Sequence, residues 1–180
     1  AGFHQYAGIL TAYVGQYEYA AGTVKEHRRL PPGDRVHRDT TLRALSTTDG
    51  TKWSGLDDLG LPIVPNHGPQ PTSTGRLIIS GNISFPYTDD PAGRRGWTPA
   101  GLMVPDRPWV DDSAGFRPVC RDNGWNFHVC EGSFYETDDR VLHMLLRTGA
   151  NLRVTESHDN GVTWSAPAST DFTDCGNKFH

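Results

Sequence analysis

The chain has 180 residues, of which 36% are hydrophobic and 21% charged, with 20 glycines and 13 prolines. Its net charge of −4 offers no basic field to hold nucleic acid or an anionic membrane. No apolar run is long enough to span a bilayer, and the glycines and prolines follow no collagen-like period.

The first residues, 1–10, read as the approach to a strand and not as a leader. Short apolar or alternating runs then recur between turn residues, and strands are predicted at 9–19, 41–46, 76–80, 100–104, 126–134, 141–147 and 152–157. Pro31-Pro32-Gly33-Asp34, Ser73-Thr74-Gly75 and Asp89-Asp90-Pro91-Ala92-Gly93 mark turns between them. No long segment keeps a helical period, so the expected class is all-β. Arginine outnumbers lysine 14 to 3, which favours planar, two-point recognition of carboxylates over simple solvation. Cys120, Cys130 and Cys175 make no disulfide scaffold. Cys120 and Cys130 flank the turn signal Asp122-Asn123-Gly124, and either pair across neighbouring strands or stay as buried thiols. The acidic pairs Asp57-Asp58, Asp89-Asp90 and Asp111-Asp112 read as solvated turns, with a structural calcium as the alternative. No zinc spacing or phosphate loop is present, so no metal ligand and no cofactor is expected.

One pattern repeats. Residues Ser157-His158-Asp159-Asn160-Gly161-Val162-Thr163-Trp164 have the spacing Ser-x-Asp-x-Gly-x-Thr-Trp, and Thr47-Thr48-Asp49-Gly50-Thr51-Lys52-Trp53 is a form one residue shorter. In each, the Asp side chain is expected to accept N–H groups of its own turn, Gly to take positive φ and Trp to pack beneath the hairpin. This is the pattern of the Asp box, and here the chain resembles the sialidase-like β-propellers. The resemblance implies a six- or seven-bladed propeller when complete. Residues 1–180 would form part of that single domain, about three to four blades, with the remaining blades outside the chain. Residues 175–180 look like the approach to a further strand. The boxes themselves would fold hairpins on the side away from the active site.

The same resemblance extends to residues that can carry chemistry. Pro65-Asn66-His67-Gly68 occupies the turn that in these enzymes lies at the substrate pocket. Sialidases usually have glycines there; His67 is more similar to the pocket histidine of the related propeller lyases, and a loop histidine bonded to neighbouring carbonyls is the other reading. Glu131 and Arg147 resemble the acidic residue and the arginine that end paired strands in sialidases. There the glutamate partners a tyrosine nucleophile and the arginine is one of several that clamp the substrate carboxylate, where a guanidinium makes two parallel hydrogen bonds. Tyr87 falls where the lyases place a second His or Tyr, or else it is a core aromatic. His128 is expected to turn to the opposite face from Glu131. The Arg-Ile-Pro strand, the early aspartate acid and the late tyrosine of sialidases have no counterpart in 1–180.

The resemblance therefore implies a secreted or periplasmic enzyme that cleaves a glycosidic bond at an acidic sugar. A uronate-type lyase or hydrolase is favoured, with an exo-α-sialidase as alternative. His67, Tyr87 and Glu131 are the expected catalytic residues, and Arg147 with Asn66 the substrate-binding ones. The partner is an acidic oligosaccharide or polysaccharide. A non-catalytic carbohydrate-binding propeller, stacking sugars on Trp97 or Trp109, is the reading from a different class.

Overall fold

The structure, a computed structural model, describes residues 2–19, 21–30, 37–81, 83–102, 130–148 and 151–174. Its strands are β1 (Gly2–Tyr6), β2 (Ile9–Tyr19), β3 (His37–Thr47), β4 (Asp57–Asp58), β5 (Gln70–Pro71), β6 (Leu77–Ile78), β7 (Tyr87–Thr88), β8 (Cys130–Glu136), β9 (Leu142–Arg147), β10 (Asn151–Ser157) and β11 (Ala168–Thr173). They form three antiparallel sheets in which sequence neighbours pair: β1-β2-β3-β4, β5-β6-β7 and β8-β9-β10-β11. Bridges Ser84↔Gly101 and Tyr87↔Thr98 bring residues 98–101 alongside the middle sheet.

The predicted strand 9–19 is β2 with the same bounds, and the cores of 41–46, 141–147 and 152–157 lie within or overlap β3, β9 and β10. The first residues are themselves a strand, because Gly2 to Tyr6 pair with Tyr13 to Ile9 across a tight turn at Ala7-Gly8. Among the described residues one element is not β: α1 (Val24–Arg29). Its start has a local cause, since the Glu26 N–H donates to Thr23 Oγ1 at 3.1 Å in the sequence Thr-x-x-Glu. Asp57-Asp58 is strand β4 and not a solvated turn: Asp57 pairs with Arg94, and Asp58 accepts from Thr41 Oγ1 at 2.5 Å and Gly60 N–H at 2.9 Å. Asp89 is held by Arg76, and Asp90 accepts the Arg94 N–H at 3.0 Å. The Cys120–Cys130 pairing, Asp111-Asp112, Trp109, His128 and the strand expected after 174 fall outside the described residues or side chains.

Two apolar layers hold the sheets together. Tyr13, Leu42, Ala44, Leu61, Ile63 and Ile79 fill one; Ile78, Phe85, Leu142, Met144, Leu146 and Trp164 are the centre of the other. Ile78 and Ile79 are consecutive, so strand alternation sends them to opposite faces and buries the middle sheet on both sides. Trp97, expected as an exposed sugar-stacking surface, instead packs on the first layer. It meets Tyr13 edge-on at 6.4 Å and donates its Nε1–H to Gly93 O at 2.9 Å.

The 157–165 turn is built as its residue types require. Asp159 Oδ1 accepts the Ser157 hydroxyl and the Thr163 N–H, both at 2.8 Å, and Oδ2 accepts the Thr163 hydroxyl at 2.6 Å. Burial opposes ionisation of Asp159, yet these Thr163 and Ser157 donors outweigh it and hold the carboxyl below the usual carboxylate range. Gly161 has φ 85°, and a Cβ there would meet Ile78 Cδ1 at 2.6 Å. Trp164 is 5% exposed and packs edge-on against Phe85. The 47–53 turn repeats the polar half, since the Thr51 and Lys52 N–H groups donate to Asp49 Oδ1 at 2.8 Å. Its apolar half differs from expectation: Trp53 is 39% exposed.

That contrast predicts the mutational outcome. Asp159→Ala should destabilise the chain by about 1–2 kcal/mol, the scale of a lost side-chain cap, and Asp49→Ala by less, as read by thermal melting. The N–H groups of Lys52 and Thr51 hold the Asp49 carboxyl down to about 2 against an ordinary 3.8. A depressed value stabilises the fold above the ordinary one and loses that contribution as pH falls toward the depressed one. The Thr51 and Lys52 amide signals should therefore stay in place on mild acidification and shift only as pH approaches 2.

Candidate functional site

Opposite the 157–165 turn, the β8–β9 hairpin opens with a bulge. Cys130 pairs with Arg147, but the next pair is Gly132 with Leu146, so Glu131 is an extra residue on β8. It sits at φ 45°, left-handed for a non-glycine residue. In regular pairing Glu131 would point to the face opposite its neighbours; the bulge turns it so that its carboxylate accepts from Arg147 Nη1. Gly132 permits this, since a Cβ there would come within 2.8 Å of Met144 Sδ and 3.2 Å of Leu146 Cδ2 in the core.

Arg147 faces a second acid. Asp174, just after β11, places Oδ1 3.6 Å from Arg147 Nε, and its Oδ2 accepts the Thr148 N–H at 2.8 Å. The side chains are mostly enclosed: Arg147 is 17% exposed, Glu131 20% and Asp174 2%. One guanidinium thus stands between two carboxylates in a partly dry setting, where such pairing is orientationally strict.

The 66–68 turn joins this cluster through Ser80 and Gly81, just after β6. The Asn66 N–H donates to Ser80 O at 3.0 Å, and its side-chain Nδ2 donates to Gly81 O at 2.8 Å. Gly81 O also accepts the Gly132 N–H at 3.4 Å. His67 Nδ1 lies 2.7 Å from Gly68 O and Nε2 lies 3.1 Å from Ser80 Oγ. The buried Ser80 hydroxyl in turn donates to Gly132 O at 2.6 Å. Behind the turn, a Cβ at Gly68 would meet Phe3 O at 2.1 Å, so β1 backs it with bare backbone.

The structure therefore gathers Asn66, His67, Glu131 and Arg147 around the same strand ends. Tyr87 stands elsewhere: it pairs with Ile78, two positions from Ser80 toward the 157–165 turn. Its ring lies under the Arg76 guanidinium at 4.1 Å. Arg76 also binds Asp89 and the Asn160 carbonyl. Tyr87, Asp89, Asp90, Arg95 and Thr98 border a separate open hollow of about 480 Å³. Ser80 and Asp174 escaped the sequence reading. Ser80 left a faint signal, as the polar residue ending the apolar run Leu77-Ile78-Ile79; Asp174 left none, because its partner is distant in sequence. Among the described residues no group of three or more His, Cys, Asp or Glu could hold a metal ion.

No family model and no curated protein matches this chain. Solved structures do. A protein of unknown function from Dyadobacter fermentans aligns with a TM-score of 0.56 and 17% identity, over 95% of this chain and 50% of that one. The intramolecular trans-sialidase of Ruminococcus gnavus, in complex with oseltamivir carboxylate, aligns with a TM-score of 0.51 and 20% identity over 89% of this chain and 35% of its own. A leech intramolecular trans-sialidase, complexed with 2,7-anhydro-Neu5Ac, gives 0.50 and 20% over 95% and 28%. The chain shares the all-β, antiparallel fold of these structures and spans half or less of their length.

The bulge sets the local prediction. Gly132→Ala should crowd Met144 and Leu146, cost about 1–3 kcal/mol by overpacking and shift Glu131 away from Arg147. Thermal melting together with the Arg147 side-chain NMR signal checks both parts.

Proposed function

We propose that this chain is part of a carbohydrate-active enzyme that cleaves a glycosidic bond at an acidic sugar. The observation that carries this reading is Arg147, fixed by Glu131 and Asp174 at the strand ends opposite the 157–165 turn, beside Asn66 and His67. The fold supports it, since two solved trans-sialidases that share it hold acidic ligands. In this proposal the 47–53 and 157–165 turns are Asp boxes with a folding role, and further blades outside these residues complete the propeller. A glycan substrate places the protein outside the cytoplasm, secreted or periplasmic.

Arg147 directs its planar guanidinium toward the sugar carboxylate, while Glu131 and Asp174 keep the plane from rotating. With a uronate, a cation on the carboxylate lowers the cost of moving the C5 proton to a base, His67; the electron pair then forms the C4–C5 double bond and expels the glycosidic oxygen, which takes a proton from water. With hydrolysis, water or a residue attacks the anomeric carbon and an acid protonates the leaving oxygen. Asn66 is held by its side-chain N–H donating to Gly81 O. Tyr87 is given no part in this proposal, because Arg76 covers its ring.

The test is incubation of the protein with sialosides and uronate-containing glycans, with products read by mass spectrometry. A 4,5-unsaturated uronate absorbing in the far ultraviolet marks elimination, a saturated sugar marks hydrolysis, and binding without turnover of any substrate overturns the enzyme reading. Arg147→Lys keeps the charge but loses the planar fork. It should lower kcat/KM on the best acidic substrate about ten- to hundredfold, equivalent to about 1.5–3 kcal/mol, with thermal melting read alongside to separate that loss from the loosened pairing to Glu131 and Asp174. An unchanged rate would sink the carboxylate-clamp assignment.

A further inference from the structure

The β2–β3 hairpin extends past the 66–68 turn. At one end Leu10 pairs with Thr47, beside the 47–53 turn; the other end runs through Gln16 to Tyr19. Gly15 marks where β2 passes the chain entering the 66–68 turn, since a Cβ there would come within 2.9 Å of Val64 Cα and 3.1 Å of Pro65 Cδ. Tyr17 and Tyr19 stand about 7 and 13 Å further along, at about 3.3 Å per residue. Strand alternation puts them on the face of Tyr13 and Gly15, which is turned to Ile79 and to Val64-Pro65. The two rings meet edge to face, 5.6 Å apart with planes at 90°, and both are half-buried. A hydrogen bond from the Tyr19 side chain, with burial, holds the Tyr17 phenol above its ordinary pKa. Neither tyrosine belongs to the two apolar layers.

The backbone here departs from regular pairing as it does at Glu131. Gln16 pairs with Thr41 and Glu18 with Arg38, so Asp39 and Thr40 together oppose Tyr17, and Asp39 is left-handed at φ 51°. The Gly22 N–H then closes a turn on Tyr19 O at 2.9 Å, and α1 begins two residues later. Within its six residues Lys25, Arg28 and Arg29 stand against Glu26 alone, in a chain whose net charge is −4. All four are exposed, and Lys25 and Arg29, four apart, share one side of the helix. Of the other charges at this end, Arg38 lies 3.8 Å from Asp39 and pairs across the strands with Glu18, so the positive excess belongs to α1. Tyrosines held rigid outside the core supply amphipathic contact area at low entropic cost, and the cations beside them draw anions. That combination suits a chain of sugars carrying acidic groups at intervals.

We propose that Tyr17, Tyr19 and the Lys25–Arg29 side of α1 form a second carbohydrate-binding site, where sugars several residues from the cleaved bond stack on the tyrosines and their acidic groups meet the cations. This rests on the reading of the Arg147 site as one for an acidic sugar, and it makes the preferred substrate an acidic polymer rather than a single terminal sugar. The test compares a glucuronate disaccharide with a glucuronate octasaccharide, in calorimetry and in turnover. The unmutated protein should bind the octasaccharide at least about tenfold more tightly. Tyr17→Ala combined with Tyr19→Ala should remove that advantage, on the scale of lost aromatic contacts, and leave the disaccharide as it was. Lys25→Gln combined with Arg29→Gln, on an exposed helix, should weaken the octasaccharide about three- to tenfold and flatten its salt dependence; this variant decides the matter should the tyrosine variant misfold. Equal affinity for the two lengths in the unmutated protein, or equal losses on both in the variants, overturns the second site and leaves the acidic-sugar reading standing. Octasaccharide binding that falls in both variants while no glycan is turned over keeps the second site and overturns the enzyme reading. If neither length binds, the second site falls, and the panel of sialosides and uronate glycans still decides the functional reading.

Discussion

The burial of β6 on both faces is the constraint on which the other features depend. Ile78 and Ile79 are each fully buried, one in each apolar layer, and burying side chains of this size contributes about 1.5–3 kcal/mol apiece. A strand fixed from both sides cannot slip in register without sending both side chains to the wrong layer. Its next residues inherit that fixity. Ser80 and Gly81 emerge from the buried run at a defined place, where they meet the 66–68 turn on one side and the Gly132 backbone on the other.

The two ends of the sheets have divided their work. At one end, the 157–165 turn closes on itself around a carboxylate and caps the apolar layer with Trp164. Its Asn160 side chain reaches back to Thr74 at 2.8 Å to tie two sheets together. At the other end, polar groups face one another across sheets, and the backbone departs from regular pairing at Glu131. Left-handed backbone at a non-glycine residue costs on the order of 1 kcal/mol. Here that cost is offset by an ion pair and by the core packing that Gly132 allows.

The cluster at Arg147 also shows why arginine and not lysine suits this position. Its guanidinium meets Glu131 through Nη1 and Asp174 through Nε, two directions that a single ammonium point charge cannot serve with fixed geometry. Asp174 comes from the far strand of the sheet and anchors the Thr148 N–H at the same time. The arginine's orientation is thus set by the pairing order β8-β9-β10-β11 as a whole.

What the sequence determined by itself was local in physical origin. Alternation of apolar residues placed β2, β9 and β10, and the Asp-Gly-Thr-Trp spacing foretold the turn at 157–165, because each depends on neighbours a few residues apart. α1 also starts locally, where the Glu26 N–H donates to Thr23 Oγ1, but the alternation of the sequence did not foretell it. Glu131, Arg147, Asn66, His67 and Tyr87 were legible as residue types near strand ends and turns, but the cation lying over the Tyr87 ring was not. The same limit applies to Trp97 and Trp53, whose burial depends on what packs over them. Only the tertiary structure decided that Glu131 bulges toward Arg147, that Asp174 completes the pair and that Ser80 joins His67 to Gly132. Those contacts link positions 13 to 52 residues apart, and a residue's chemistry does not encode which distant partner the register of the sheets will bring to it.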